Sequence, residues 1–223
     1  MIGGNFMKKR LIFDFDGVLA DSLFVTMENI NYLSKNGFDK IPVVYNQNEM
    51  SHLFDVKLSD SLLKYGYDRK EIKEFFNMHT SMMCRDADKI FVFKEIINFL
   101  WRSNLPISIV SSSYLVYMET ILNNYSKDVL QKFDEVYGRE IQGSKIEKIN
   151  NILCKYGLKK CEVLYVGDTV SDILTCKEIG IDIVAVGYGF HPYEYLLNFA
   201  PDYIVRDENE LINLLDMLHI KAA

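Results

Sequence analysis

The sequence predicts an α/β fold: a doubly wound parallel sheet with a small helical domain inserted after its first strand. Three observations carry this. Short, β-branched-rich apolar runs alternate with helical patterns through most of the chain. Those runs are apolar on both faces, as strands covered on both sides must be. One long interval, from Asp21 to about Lys89, has helical patterning and no convincing strand.

The strand candidates are residues 10–15, 107–111, 162–166, 182–186 and 203–205. Between them, residues 93–101, 114–123, 144–156, 170–178 and 208–218 carry apolar side chains at three- and four-residue spacing. Gly157 and Gly180 follow two of these stretches as stop signals. In the interval, Met27, Ile30 and Leu33 form one stripe ended by Gly37. Leu53, Leu58, Leu62 and Leu63 form a second, and Ile72, Phe75 and Phe76 a third. This is too much periodic structure for a loop. Residues 1–20 and 90–223 are therefore expected to build the core, and residues 21–89 an inserted helical domain.

The 223 residues are 49% hydrophobic and 25% charged, with a formal net charge of −6. No Lys/Arg block offers a footprint for a phosphate backbone, so nucleic acid is not an expected partner. A small anionic ligand would need local positive charge. Cys84, Cys154, Cys161 and Cys176 form neither a CxxC pair nor a Cys/His cluster, and read as reduced thiols of a cytoplasmic protein. His52, His79, His191 and His219 are scattered and read as surface or packing residues. No apolar run reaches the roughly 18 residues of a membrane span. The opening "MIGGNFMKKR" leads into a run carrying Asp14 and Asp16, which is not a signal peptide, and Met7 is a second candidate start.

Ligands of an open parallel sheet bind beyond the carboxyl ends of its strands, and the polar oddities fall there. Asp14 and Asp16 close "LIFDFD", Ser111, Ser112 and Ser113 follow "ISIV", and "GDTVSD", Gly167 to Asp172, follows "VLYV". A helix cap accounts for Ser113. It does not account for Asp14, Asp16, Asp168 and Asp172 together, because carboxylates converging on one edge repel. A hard divalent cation with oxygen ligands, with Mg²⁺ the expected ion, resolves the crowding.

These motifs resemble those of the haloacid-dehalogenase superfamily. Asp14-Phe15-Asp16-Gly17-Val18 matches its DxDx[TV], and Gly167-Asp168 with Asp172 matches its GDxxxD. Ser111 resembles the second motif and Lys145 the third, with Lys148 as the alternative lysine one turn on. The resemblance implies a Rossmann-like core and a Mg²⁺-dependent phosphatase of a small phosphorylated metabolite. It makes Asp14 the nucleophile that forms an aspartyl-phosphate, and Asp16 the acid and base. Ser111 and Lys145 would bind the phosphoryl oxygens. Mg²⁺ would lie between Asp14, the Asp16 backbone carbonyl and Asp168, with Asp172 holding a water on the metal or orienting Lys145.

Haloacid dehalogenases proper lack the second aspartate, so Asp16 argues against carbon–halogen cleavage. The β-phosphoglucomutase-like branch carries a histidine ten residues after the acid/base aspartate, where this chain has Thr26. That favours hydrolysis like that of the phosphoglycolate phosphatases, with a phosphomutase or a catalytically idle binding protein as the alternatives. The inserted segment then resembles the superfamily's helical cap. Its Lys57, Lys64, Arg69 and Arg85 either meet an anionic substrate tail or are solvated, and its Tyr65 and Tyr67 either line the cleft or pack.

Overall fold

The computed structural model describes residues 7–218; the segment before Met7 and His219 lie outside them. β1 (Arg10–Phe13) runs through a tight turn into β2 (Ala20–Asp21) and then four helices. These are α1 (Leu23–Lys35), α2 (Gln47–Phe54), α3 (Leu58–Lys64) and α4 (Arg69–Arg85). The chain returns through β3 (Phe91–Val92), antiparallel to β2, with Asp21 opposite Phe91. It continues as α5 (Lys94–Arg102), β4 (Ile107–Val110), α6 (Leu115–Tyr125), β5 (Glu135–Tyr137) and α7 (Lys145–Tyr156). Then come β6 (Val163–Gly167), α8 (Val170–Ile179), β7 (Asp182–Val186), α9 (Tyr193–Leu197), β8 (Tyr203–Val205) and α10 (Glu208–Met217).

Six strands form one parallel sheet in the order β5-β4-β1-β6-β7-β8. The two-residue alternation of a strand sorts its side chains onto two faces. Leu11, Phe13, Leu164 and Val166 join Ile96, Met118 and Leu211 of α5, α6 and α10. Ile12, Val163 and Tyr165 join Ile149, Ile152 and Ile173 of α7 and α8 on the other face. Each such side chain, wholly buried, contributes about 1.5–3 kcal/mol. All β1, β4 and β6 residues are buried, which is why, Arg10 and Ser108 apart, they read as apolar runs.

The four helices between β2 and β3 have a core of their own, with Ile30, Leu33, Met50, Leu53, Leu62 and Phe75 at its centre. Asn46 caps α2 by accepting from the Glu49 N–H at 3.0 Å, and Asp68 with Glu71 forms a capping box on α4. The helical run starts at Leu23 rather than Asp21, because Asp21 is drawn into the strand pair.

The sequence-based boundaries shift in physically simple ways. The first strand stops at Phe13, since the Phe15 carbonyl turns to accept from the Leu19 and Ala20 N–H groups at 2.8 and 3.0 Å. The leucine stripe from Leu53 to Leu63 is two helices, broken at Asp55 with φ 47°, and Leu63 is exposed. β5 was not expected: its three residues are half-buried at the sheet edge and carry no apolar run. α9, five residues long, is too short to show a period. Among the described residues no helix is long and apolar enough to cross a membrane.

Candidate active site

The site lies where β1, β4 and β6 end side by side. Asp14 follows β1; its N–H donates to the Val166 carbonyl at 2.9 Å, and its Oδ1 accepts from the Phe15 N–H at 2.7 Å. Asp168 follows β6, and Asp172 sits in the first turn of α8. Carboxylate oxygens of these three buried residues lie within 4.8 Å of one another. Glycine makes the approach possible. At Gly17, with φ +72°, a Cβ would stand 2.1 Å from Asp168 Oδ2, and at Gly189 a Cβ would stand 2.3 Å from the same oxygen.

Lys145 is the first residue of α7, whose start is fixed by a capping box between Ser144 and Glu147. It donates from Nζ to Asp14 Oδ2 at 2.6 Å, to Asp172 Oδ1 at 2.6 Å and to the Tyr165 hydroxyl at 3.3 Å. Lys148 instead donates to the Gly138 carbonyl at 2.8 Å. Asp172 Oδ2 also accepts from Thr169 Oγ1 at 2.6 Å.

These contacts set the charges. Burial pushes the Asp14 carboxyl up to about 6, with Lys145 opposing and Asp172 adding to the rise. Burial alone would raise Asp172, but the Lys145 ammonium and the Thr169 hydrogen bonds bring it below the usual carboxylate range. Burial also works against the charge on Lys145, yet Asp14 and Asp172 together hold its ammonium above the ordinary lysine range. Asp168 is raised well above the usual range by burial, then by Asp172 and Asp14.

Asp168 supplies the test of metal fit. Its Oδ2 accepts from the Phe190 N–H at 2.7 Å, while its Oδ1 is buried without a partner. An orphaned carboxylate oxygen beside two more carboxylates is costly, and a bound cation would satisfy it. The donors are all hard oxygens, which suits Mg²⁺.

Asp16 stands apart from this trio. Its Oδ2 accepts from Ser113 Oγ and its Oδ1 from the Tyr117 hydroxyl at 2.8 Å. The expectation that Ser113 is a helix cap is overturned: Tyr114 occupies the cap of α6 with no side-chain hydrogen bond, and the Ser113 hydroxyl is turned to Asp16. Ser111 is buried at the end of β4, and its Oγ accepts from the Ser113 N–H at 3.2 Å.

All six expected residues, Asp14, Asp16, Ser111, Lys145, Asp168 and Asp172, are at this end of the sheet. Five of them line a cleft of about 610 Å³, with Asp172 buried directly behind. The helices α1 and α4 face them across the cleft with Thr26, Phe76, His79 and Met83, and the start of α3 does so with Leu58 and its cap residue Lys57. Of the four helical-domain cations, only Lys57 lines the cleft. Lys64 pairs with Asp55 at 2.6 Å, Arg85 pairs with Asp86 at 2.5 Å, and Arg69 is exposed elsewhere. Tyr65 and Tyr67 pack in the helical core.

Sequence reasoning missed Tyr117, Tyr165, His79 and Arg139. His79 was within reach, being four residues on from Phe75 on the same helix face, where the two rings stack 5.9 Å apart. Tyr165 carried no signal, since an aromatic in a buried strand reads as core. Arg139, whose guanidinium lies 5.5 Å from both the Phe76 and Tyr114 rings, follows the unexpected strand β5.

Residues 11–186 match the family model of haloacid dehalogenase-like hydrolases. The chain is 24% identical to the pyrophosphatase PpaX of Halalkalibacterium halodurans, over 95% of this chain and 97% of that protein. It is 23% identical to a phosphoglycolate phosphatase of Synechococcus elongatus, over 94% of this chain and 98% of that one. The crystal structure of a predicted phosphatase from Clostridium acetobutylicum shares the fold, with a TM-score of 0.78 at 22% identity, covering 95% of this chain and 100% of that one. Carboxylates at the ends of β1 and β6, a lysine between them and a match spanning most of the chain lead to one conclusion: this protein is a hydrolase of the haloacid dehalogenase-like family.

Proposed function

We propose that this hydrolase is a cytoplasmic, Mg²⁺-dependent phosphatase that cleaves a small phosphomonoester through an aspartyl-phosphate. The observation that carries the reading is the pairing of Asp14 with Lys145 at 2.6 Å beside an Asp168 oxygen with no partner. The names of the relatives, a pyrophosphatase and a phosphoglycolate phosphatase, support a small phosphorylated substrate.

In this reading an Asp14 oxygen attacks phosphorus, an Asp14 O–P bond forms and the bond to the leaving oxygen breaks. Asp16 gives that oxygen a proton, then takes one from the water that releases phosphate. Lys145 and Ser111 hold the phosphoryl oxygens as charge shifts onto them. Asp14, Asp168 and the Asp16 backbone carbonyl would hold Mg²⁺, with Asp172 behind them. Its contribution is to offset the charge between carboxylate and phosphate. Asp172 and Tyr165 fix the Lys145 ammonium. The residues of α1, α3 and α4 that face the cleft exclude bulk water while the substrate is bound. As the domain division expected from the sequence, residues 21–89 act as the cap on a core of residues 1–20 and 90–223.

The experiment is a panel of phosphomonoesters assayed with Mg²⁺, with a chelator and with Ca²⁺, on wild type and Asp14→Asn. Turnover is expected with Mg²⁺ only, with Ca²⁺ inhibiting because its looser coordination draws Asp14 into a second bond. Asp14→Asn is expected to fold and to release no phosphate. Turnover in excess chelator, or an active Asp14→Asn, overturns the reading.

A further inference from the structure

The residue that fixes Asp168 belongs to two parts of the molecule at once. The Phe190 N–H donates to Asp168 Oδ2 at 2.7 Å, while the residue is 5% exposed and belongs to the apolar cluster of the four helices. The short strap of residues 187–190 is gripped from both ends of α2. At the first residue of that helix, Gln47 donates from Nε2 to the Gly187 carbonyl at 3.0 Å and to the Gly189 carbonyl at 2.7 Å. At the last, the Phe54 ring lies 5.1 Å from the Phe190 ring. The strap has no slack against the site, since a Cβ on Gly189 would come within 2.5 Å of both Asp168 Cβ and the Gly17 carbonyl.

We propose that Gln47 is a positioning residue for the divalent ion: through the 187–190 strap it holds the Phe190 N–H on Asp168 Oδ2, and so sets how tightly the acidic site binds its metal. This rests on the metal site of the proposed function. The physical argument is short. A hydrogen bond to one carboxylate oxygen fixes the plane of the group, and with it the direction of the other oxygen. Here that other oxygen is Oδ1, the unpartnered one. Both partners of Gln47 are carbonyls and only accept, so its amide must present the nitrogen. Removing that donor leaves two carbonyls without their partner and loosens the strap where it faces Asp168, with Phe54 left as its other hold on α2. Gln47 itself touches neither the three carboxylates nor the cleft.

The test is Mn²⁺ binding, followed by the EPR signal of free Mn²⁺, on the full chain as wild type, Gln47→Leu, Gln47→Glu and, as a control, Asp168→Asn. Loss of an outer partner of a metal ligand typically weakens affinity by about 10-fold or more. Gln47→Leu is expected to raise the Mn²⁺ Kd by about that factor. Gln47→Glu should raise it further, because a carboxylate then faces two carbonyls. At saturating Mg²⁺ the KM for substrate should stay at the wild-type value, which a general loss of structure would not allow. In the metal-free protein, hydrogen exchange at the Phe190 amide should speed up in both variants. Wild-type Mn²⁺ affinity in both Gln47 variants, with Asp168→Asn abolishing binding, overturns this proposal and leaves the metal site standing. Unchanged exchange at Phe190 overturns it too, even where affinity falls. A wild type that binds no Mn²⁺ overturns the metal site and this proposal together.

Discussion

Lys145 holds its ammonium 2.6 Å from the Asp14 carboxylate, and the rest of the site is arranged around that pair. Removing one partner of a buried ion pair typically costs about 3–5 kcal/mol, because the other charge is left uncompensated. Lys145→Met leaves Asp14 and Asp172 facing each other. It is expected to lower the melting temperature of the metal-free protein, to lower it less with Mg²⁺ present, and to reduce kcat by about 100-fold or more. Lys148 donates to the Gly138 carbonyl and to no carboxylate, so Lys148→Met should lose stability and keep its rate. Steady-state kinetics of the two variants decide between the lysines. A larger rate loss in Lys148→Met reverses the assignment.

Asp16 is held by Ser113 and Tyr117, two hydroxyl donors on one carboxylate. If it protonates the leaving oxygen, its loss matters most where the leaving group is a poor one. Asp16→Asn is expected to cost about 10²–10⁴-fold in kcat with alkyl phosphates and far less with an aryl phosphate such as p-nitrophenyl phosphate. Tyr117→Phe, which removes one of the two anchors, should show the same pattern more weakly. Equal losses across leaving groups would remove Asp16 from acid–base work.

The legible parts of the sequence were those in which one residue type has one dominant reading. β1, β4 and β6 are buried on both faces, so they appear as apolar runs, and the aspartates that follow β1 and β6 and the serines that follow β4 stand out. β5 is a half-buried edge strand and left no such mark. The roles around Asp16 were hidden for a different reason. A serine before a helix commonly caps it, and only the three-dimensional placement shows that Ser113 turns to an aspartate 97 residues away. The strap of residues 187–190 was invisible for the same reason: its contacts with Gln47 span about 140 residues, a separation no local pattern encodes.

His79 is expected to make the protein sensitive to acid. Burial in the cleft wall, and then the nearby Arg139 charge, lower its imidazole from 6.5 to about 4, and its Nε2 has no partner. The folded state keeps the ring neutral while the unfolded chain protonates near the ordinary value. The unfolded state therefore binds more protons as pH falls, and stability drops with it. This contribution is complete above pH 6.5 and is lost progressively as pH falls to about 4. Its size is on the order of 3 kcal/mol. His79→Phe keeps an aromatic ring against Phe75 and removes the titration. Urea midpoints at pH 7 and pH 4.5 should fall less between the two values for the variant than for wild type. Parallel declines would show that His79 is not the group responsible.

The choice between hydrolysis and phosphoryl return can be tested at Thr26. It lies in the first turn of α1, 2% exposed, and lines the cleft. Its hydroxyl donates to the Met83 sulfur at 3.7 Å. A hydroxyl so placed is no substitute for the imidazole that the mutase-like branch carries at this position, because it has no accessible pKa and its one partner is a thioether. A mutase must hold water off the aspartyl-phosphate until the sugar has turned over, whereas a hydrolase admits it. With a good substrate, inorganic phosphate should appear in step with the dephosphorylated product. Supplying glucose 1-phosphate together with its bisphosphate should yield phosphate and no 6-phosphate isomer. Thr26→His should not convert the enzyme unless the new ring can also reach the leaving oxygen, so the informative comparison is wild type alone, with both products quantified over time. An isomerised sugar phosphate that forms faster than inorganic phosphate would mean that a group facing the cleft, with His79 the first to examine, performs the proton transfer that Thr26 does not.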